Sequence, residues 1–251
     1  MQKLISNFLT ALLLLAATAS VQGTDSAGTV LITGANRGIG LAMASTFSEA
    51  GYSVIGTARR PEAATALHRL AVKVVPLDVT DPASVSALAQ QLGGAPIDIL
   101  INNAGMVSRE APEFADVDID TLLTEYQVNA LGPLRVTQAL LPNVMAGKRK
   151  IVANISSMMG SMEFNTFGCC MGYRASKAAL NSFTKTLAVD MSGDGTIFVV
   201  LHPGYVKTDM NGGEGSITAA VSAAGLYTVI TGLEDQDDGK FFNYDGKPMP
   251  W

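Results

Sequence analysis

The sequence predicts a single α/β domain built on a doubly wound parallel sheet of about seven strands. Three observations predict it. Short runs of β-branched and aliphatic residues alternate with longer stretches of helical spacing. The first run, TVLIT at residues 29–33, leads directly into a glycine-punctuated turn, Gly34-Ala35-Asn36-Arg37-Gly38-Ile39-Gly40. Further polar and glycine-bearing segments follow the later runs, where a parallel sheet gathers the carboxyl ends of its strands and binds ligands.

In chain order, a strand at 30–33 feeds the glycine turn and a helix at 39–50. A second strand at 53–57 ends in Thr57-Ala58-Arg59-Arg60, and a third at 73–76 precedes Asp78-Val79 and a helix at 82–92. The fourth, 97–101, runs into Asn102-Asn103-Ala104-Gly105 and then a long helix at 119–145. A fifth at 150–155 ends in Ser156-Ser157; a helix at 173–191 follows. The sixth, 197–201, precedes Pro203-Gly204 and a helix at 216–232, and 240–243 is the seventh. No internal repeat, low-complexity tract or linker divides the chain.

Two of these segments carry chemistry. Glycines let the chain turn sharply and let backbone approach a pyrophosphate, whose charge is met by amides at a helix N-terminus. The spacing in the turn differs from GxGxxG, so a plain glycine turn is the competing reading. Tyr173 and Lys177 stand four positions apart, on one face of a helix. An ammonium beside a phenol stabilises the phenolate and lowers its pKa, which makes Tyr173 a candidate proton donor. The same spacing also suits an ordinary solvated helix face.

Together these residues resemble the short-chain dehydrogenase/reductase family, whose fold is Rossmann-type. Its TGxxxGxG motif is matched by Thr33, Gly34, Gly38 and Gly40, and its YxxxK by Tyr173 and Lys177. Asn102-Asn103-Ala104-Gly105 resembles the family's NNAG, Asn129 its active-site asparagine, and Ser157 its catalytic serine. Pro203, Gly204, Val206 and Thr208 resemble its PGxVxT segment. Ser157 precedes Tyr173 by sixteen residues, more than in many members, and the intervening 158–172 looks like an inserted loop. That loop, with the C-terminal GKFFNYDG and PW, is similar to the sniffer-like carbonyl reductase and C-factor-like subgroup. Ser157 is preferred over Ser156 by the family's habit, and strand alternation would aim the two side chains oppositely.

The resemblance implies hydride transfer between a nicotinamide and a carbonyl carbon. Tyr173 would protonate the oxygen, Ser157 would hydrogen-bond it, Lys177 would bind the nicotinamide ribose, and Asn129 would help hold a water chain. It implies cofactor contacts at Thr33, Gly34, Asn36, Arg37, Gly38, Ile39 and Gly40, and at Arg59, Asp78 and Val79. Asn103, Ala104, Gly105, Tyr173, Lys177, Pro203, Gly204, Val206 and Thr208 complete the set. Ala58 stands where NAD-dependent members often carry Asp, whereas Arg37 and Arg59 suit the extra phosphate of NADP, so NADPH is expected over NADH. An NAD(P)-binding signalling or regulatory protein with little turnover is the alternative; an extended epimerase-type member is a weaker rival. Family members often pair through their long helices, so a homo-oligomer, dimer or tetramer, is expected.

A net charge of -5 with no basic block argues against nucleic acid, which leaves a small-molecule carbonyl or alcohol as partner. Cys169 and Cys170 are the chain's two cysteines. Being adjacent, they either fill space in the loop or form a redox-active vicinal pair. His68 and His202 stand apart from partner ligands and read as structural, and no metal is expected. Met106, Met158, Met159, Met162 and Met171 suggest an apolar, adaptable pocket. At the N-terminus, Lys3, an apolar stretch and small residues through Gly23 predict a secretory signal peptide at 1–23 and an exported domain at 24–251. An uncleaved anchor, which would bring the membrane in as partner, and a misassigned start with a cytoplasmic protein are the alternatives.

Overall fold

The computed structural model describes residues 26–108 and 114–251, so the signal-peptide expectation at 1–23 lies outside the described residues. Seven strands form one sheet: β1 (Thr29–Ile32), β2 (Ser53–Ala58), β3 (Lys73–Pro76), β4 (Ile99–Asn102), β5 (Ile151–Ile155), β6 (Ile197–His202) and β7 (Phe241–Asn243). Their order is β3-β2-β1-β4-β5-β6-β7 and every pairing is parallel. Every residue of β4, β5 and β6 is buried. Such unbroken burial marks strands covered on both faces, because a half-solvated strand would alternate.

Helices α1 (Gly38–Glu49), α2 (Thr65–His68), α3 (Pro82–Leu92), α4 (Ile119–Tyr126), α5 (Gly132–Ala146), α6 (Met171–Asp190) and α7 (Ala219–Thr231) provide that cover. Met43 and Phe47 of α1 and Leu226 and Ile230 of α7 join one apolar core with Val30, Ile32, Ile99 and Ile101. Val85 and Leu88 of α3 and Val136, Leu140 and Val144 of α5 join the other with Leu31, Leu100 and Val152. The strand order reverses between β1 and β4, opening the crevice at their carboxyl ends where such sheets bind ligands.

Three expected boundaries move. Ladder pairing in β4 begins at Ile99, two residues later than expected. Before it, the Asp98 carboxylate accepts from the Thr29 and Lys148 amides, both at 2.7 Å, and holds a corner. The helix expected at 216–232 begins at Ala219, since Ile217 bridges Val206 and the Thr218 hydroxyl caps the Val221 amide. The helix expected at 119–145 is not continuous: a π turn at Gln127–Leu131 separates α4 from α5. A π turn inserts an extra residue into the helical ladder, a local distortion that apolar spacing does not announce. Among the described residues no helix is long and apolar enough to cross a membrane.

Candidate active site

The glycine turn folds onto the end of β4. Thr33 Oγ1 accepts from the amides of Asn103 (2.9 Å) and Ala104 (3.0 Å), and Asn103 Nδ2 returns to the carbonyls of Thr33 (3.0 Å) and Gly34 (3.2 Å). Gly34 and Gly38 take positive φ of 65° and 55°. A Cβ on Gly40 would lie 2.4 Å from the Gly34 carbonyl oxygen and 2.5 Å from Asn103 Nδ2, so only glycine fits. The first bond back into α1 runs from the Leu41 amide to the Arg37 carbonyl, and the amides before it point out of the helix end. A bare, dipole-positive helix end beside two close-packed glycines is a cradle for a phosphate group. Thr208 closes its far side, with Cγ2 3.5 Å from where a Gly38 Cβ would stand.

Charged residues ring this cradle. Arg37 and Asn36 are exposed, and the Arg37 guanidinium sits 4.0 Å from the Asp209 carboxylate. Arg59 is exposed just past β2, while Ala58 is buried in the sheet. Asp78 follows β3; the Thr80 hydroxyl, 2.6 Å away, holds its carboxyl below the usual range, and the Arg59 charge contributes. Val79 is buried against Gly132. Gly204, at φ 84°, packs on Ile217 and Tyr244, and Pro203 accepts from the Ser222 hydroxyl at 2.6 Å. Val206 is buried where it bridges Ile217.

One strand end away, the expected catalytic residues converge. Ser156 and Ser157 take different partners: Ser156 Oγ donates to Asn181 Oδ1 at 2.7 Å, while Ser157 Oγ accepts from the Met159 amide at 3.1 Å and sits close enough to the Tyr173 phenol to lower its pKa. Lys177 lies one turn after Tyr173 on α6, buried, its Nζ donating to the Ile155 carbonyl at 2.9 Å and 5.8 Å from the Tyr173 ring centre. A Cβ on Gly105 would stand 3.7 Å from that Nζ and 3.2 Å from Asn129 Oδ1. Asn129, fully buried in the π turn, accepts from the Met106 amide at 2.8 Å and donates to the Met106 carbonyl (2.8 Å) and Ser176 Oγ (3.0 Å). Its side chain is therefore committed to pinning the β4–α4 segment against α6.

The titration behaviour departs from the expectation that Lys177 lowers the Tyr173 pKa. Burial pushes the phenol up to about 12; the Ser157 hydrogen bond opposes this, and Glu125 and Cys170 add to the rise. Burial also pulls Lys177 down to about 8. Removing both groups from water outweighs their mutual influence, because each charged form is penalised by the apolar surroundings. Tyr173 is thus held in its acid form.

A cavity of about 500 Å³, lined on α6 by Met171, Gly172, Arg174, Ala175 and Ala178 but not by Tyr173, lies between 114–122 and the inserted 158–175 segment. Met159, Met162 and Met171 line it; Met106 and Met158 do not. Two residues here, Glu125 and Arg174, escaped sequence reasoning, and His202, read as structural, gains a partner. Glu125, buried, accepts from the Ser108 amide (2.7 Å) and hydroxyl (3.0 Å) and faces the first turn of α6 at Gly172. Arg174, buried, donates from Nε to the Gly168 and Cys169 carbonyls and lies 4.5 Å over the Phe167 ring. His202, which burial pushes down to about 4, accepts the Met158 amide on Nδ1 at 3.2 Å and so supports the Ser157 turn. Glu125 and His202 are far in sequence from what they touch, and Arg174 turns back on an irregular loop, so helical spacing offered no signal. Among the described residues no cluster suited to a metal is present.

A parallel doubly wound sheet, a phosphate cradle at its switch point and a Ser-Tyr-Lys cluster beside it define a dinucleotide-binding oxidoreductase fold. Comparison makes this specific: the short chain dehydrogenase family pattern matches residues 28–219. The chain belongs to the short-chain dehydrogenase/reductase family. It is similar to the C-signal of Myxococcus xanthus, 43 % identical over 165 residues, covering 66 % of this chain and 99 % of that protein. The NADPH-bound carbonyl reductase from chicken fatty liver superposes with a TM-score of 0.82 at 34 % identity, covering 90 % of this chain and 100 % of the other. Carbonyl reductase Sniffer of D. melanogaster superposes with 0.84 at 31 %, covering 89 % and 99 %.

Proposed function

We propose that the chain is an NADP-dependent carbonyl reductase, converting an aldehyde or ketone to an alcohol. The observation that carries this reading is the meeting of Tyr173 with Ser157 and with buried Lys177, whose Nζ lies 5.8 Å from the Tyr173 ring, beside the glycine cradle. The cradle fits a dinucleotide: its glycines leave room that a Cβ would fill, and its helix-end amides would meet a phosphate's charge. Gly34, Asn36, Gly38, Ile39 and Gly40 would hold the pyrophosphate side, Asp78 and Val79 the adenine, and Gly105, Pro203 and Gly204 the nicotinamide side. Arg37 and Arg59 would grip the extra phosphate. When bound, NADPH supplies the hydride.

The protein's own part is proton delivery and charge placement. Tyr173 donates its proton to the carbonyl oxygen as negative charge grows there, and Ser157 Oγ hydrogen-bonds the same oxygen. Lys177, close to its titration point near pH 8, restores the phenol by passing a proton along and steadies the phenolate formed in the step. Asn129 keeps the Met106 segment fixed beside Lys177 so that this arrangement does not relax between turnovers. The methionine-lined wall accepts the apolar part of the substrate.

A second reading, a cofactor-binding signalling protein with little turnover, is favoured by the 43 % identity with the M. xanthus C-signal. One experiment separates them: NADPH oxidation over a panel of aldehydes, ketones and quinones, by wild type and Tyr173→Phe. The reductase reading expects turnover that falls at least about a hundredfold in the variant with NADPH binding retained. NADPH binding without turnover in wild type would favour the signalling reading.

A further inference from the structure

The sulfurs of Cys169 and Cys170 lie 2.9 Å apart. The two residues take φ of 64° and 53°, a left-handed conformation that is strained for a non-glycine residue and persists only where its surroundings impose it. Here α6 imposes it. The Arg174 amide donates to the Cys170 carbonyl at 2.9 Å, and Arg174 Nε donates to the carbonyls of Gly168 (2.9 Å) and Cys169 (3.1 Å). The turn is therefore held in a backbone form in which the two adjacent thiols meet. Cys169 is exposed, Cys170 is half-buried, and both line the cavity three and four positions before Tyr173.

We propose that Cys169 and Cys170 form a reversible thiol–disulfide site in the cavity wall, oxidised to a vicinal disulfide by low-molecular-weight disulfides of the glutathione type. Accessibility makes Cys169 the attacking group. Burial pushes Cys170 up to about 11, aided by its hydrogen bond to Cys169, so Cys170 keeps its proton while Cys169 reacts. The Cys169 thiolate attacks one sulfur of RSSR, forming Cys169–S–S–R and releasing RS⁻, which takes up the proton Cys169 gave to solvent. Cys170, already in contact, then loses its proton and attacks the Cys169 sulfur, expelling the second RS⁻, which is protonated in turn. Two electrons pass from the protein dithiol to RSSR, and two RSH result. Adjacent Cα atoms are only about 3.8 Å apart, short of the roughly 4.4–6.8 Å that ordinary bridges span, so the product is readily reduced again.

Closing the ring draws the Gly168 and Cys169 carbonyls away from Arg174, and so remodels the cavity wall that these residues form next to the first turn of α6. The consequence for catalysis rests on the reductase reading; the thiol chemistry does not. The chain's complement of two cysteines makes the test unambiguous. The full chain is exposed to oxidised glutathione, and intact mass and alkylatable thiols are followed with time. Wild type should lose both thiols and about 2 Da, retain no glutathione, and recover both thiols with dithiothreitol. Cys170→Ser should trap one glutathione, and Cys169→Ser should react at least about tenfold more slowly. A stable glutathione adduct on wild type, a bridge between two chains, or thiols that remain alkylatable would each overturn the proposal. With a turnover assay on the same samples, a tenfold drop in oxidised wild type but not in Cys169→Ser supports gating of the cavity. Equal rates remove the gating, and absence of turnover in every sample removes the reductase reading while the mass result still decides the site.

Discussion

Replacing Lys177 by methionine should stabilise the protein at neutral pH. Lys177 is 4 % exposed, and burial brings its ammonium from 10.5 down to about 8. A lowered lysine pKa means that, between about pH 8 and 10.5, the unfolded chain holds a proton the folded chain has released. Stability therefore rises with pH across that window, and the cost is borne in full below it. The shift corresponds to about 3 kcal/mol. Methionine keeps the length of the side chain and removes the charge, but gives up the 2.9 Å bond to the Ile155 carbonyl, worth about 1 kcal/mol. The expected net gain for Lys177→Met is about 2 kcal/mol at pH 7, vanishing near pH 10. Urea unfolding of both proteins without cofactor, at pH 7, 8.5 and 10, measures it. Tyr173, raised to about 12, lowers stability only above about pH 10, and equally in both chains. Parallel curves across the three pH values, or a wild type more stable than Lys177→Met at pH 7, would refute the reasoning.

Two further outcomes follow from the site. Asn129→Ala strands the half-buried amide and carbonyl of Met106; it should cost about 1–3 kcal/mol in urea unfolding and speed hydrogen exchange at the Met106 amide, which unchanged exchange would contradict. Arg37→Glu should weaken NADPH binding about tenfold or more in fluorescence titration while leaving NADH within about threefold; equal losses for the two cofactors would remove Arg37 from phosphate recognition.

Much of this architecture was legible because it obeys short-range rules. The seven strands were found within two residues of their observed ends, since a strand covered on both faces must read as an apolar run, as in IVANI of β5. The crevice was legible too: the glycines of the turn are demanded by local φ and by close approach, which a linear motif records. The π turn at Gln127–Leu131 was not, because a helix interrupted by an extra residue keeps its apolar spacing on either side. The five methionines divided into three that line the cavity and two that do not, a distinction set by where loops cross rather than by composition.

The cysteine pair shows the same limit. Adjacency was visible, but space-filling and redox readings stood side by side until the structure placed Cys169 at the surface, where it fills nothing, with its sulfur against that of Cys170.

By itself, the sequence determined the alternating α/β order, the glycine turn and the placing of Tyr173 and Lys177 on one helix face, because each depends on periodicity or on residues close together along the chain. Tertiary structure alone decided the electrostatics and the second layer of the site. The Tyr173 pKa rises because α6 buries the phenol before a neighbouring ammonium can lower it. Glu125 and His202 acquire their places only when distant segments meet. Desolvation and contact between remote groups are properties of the packed molecule, and no local pattern encodes them.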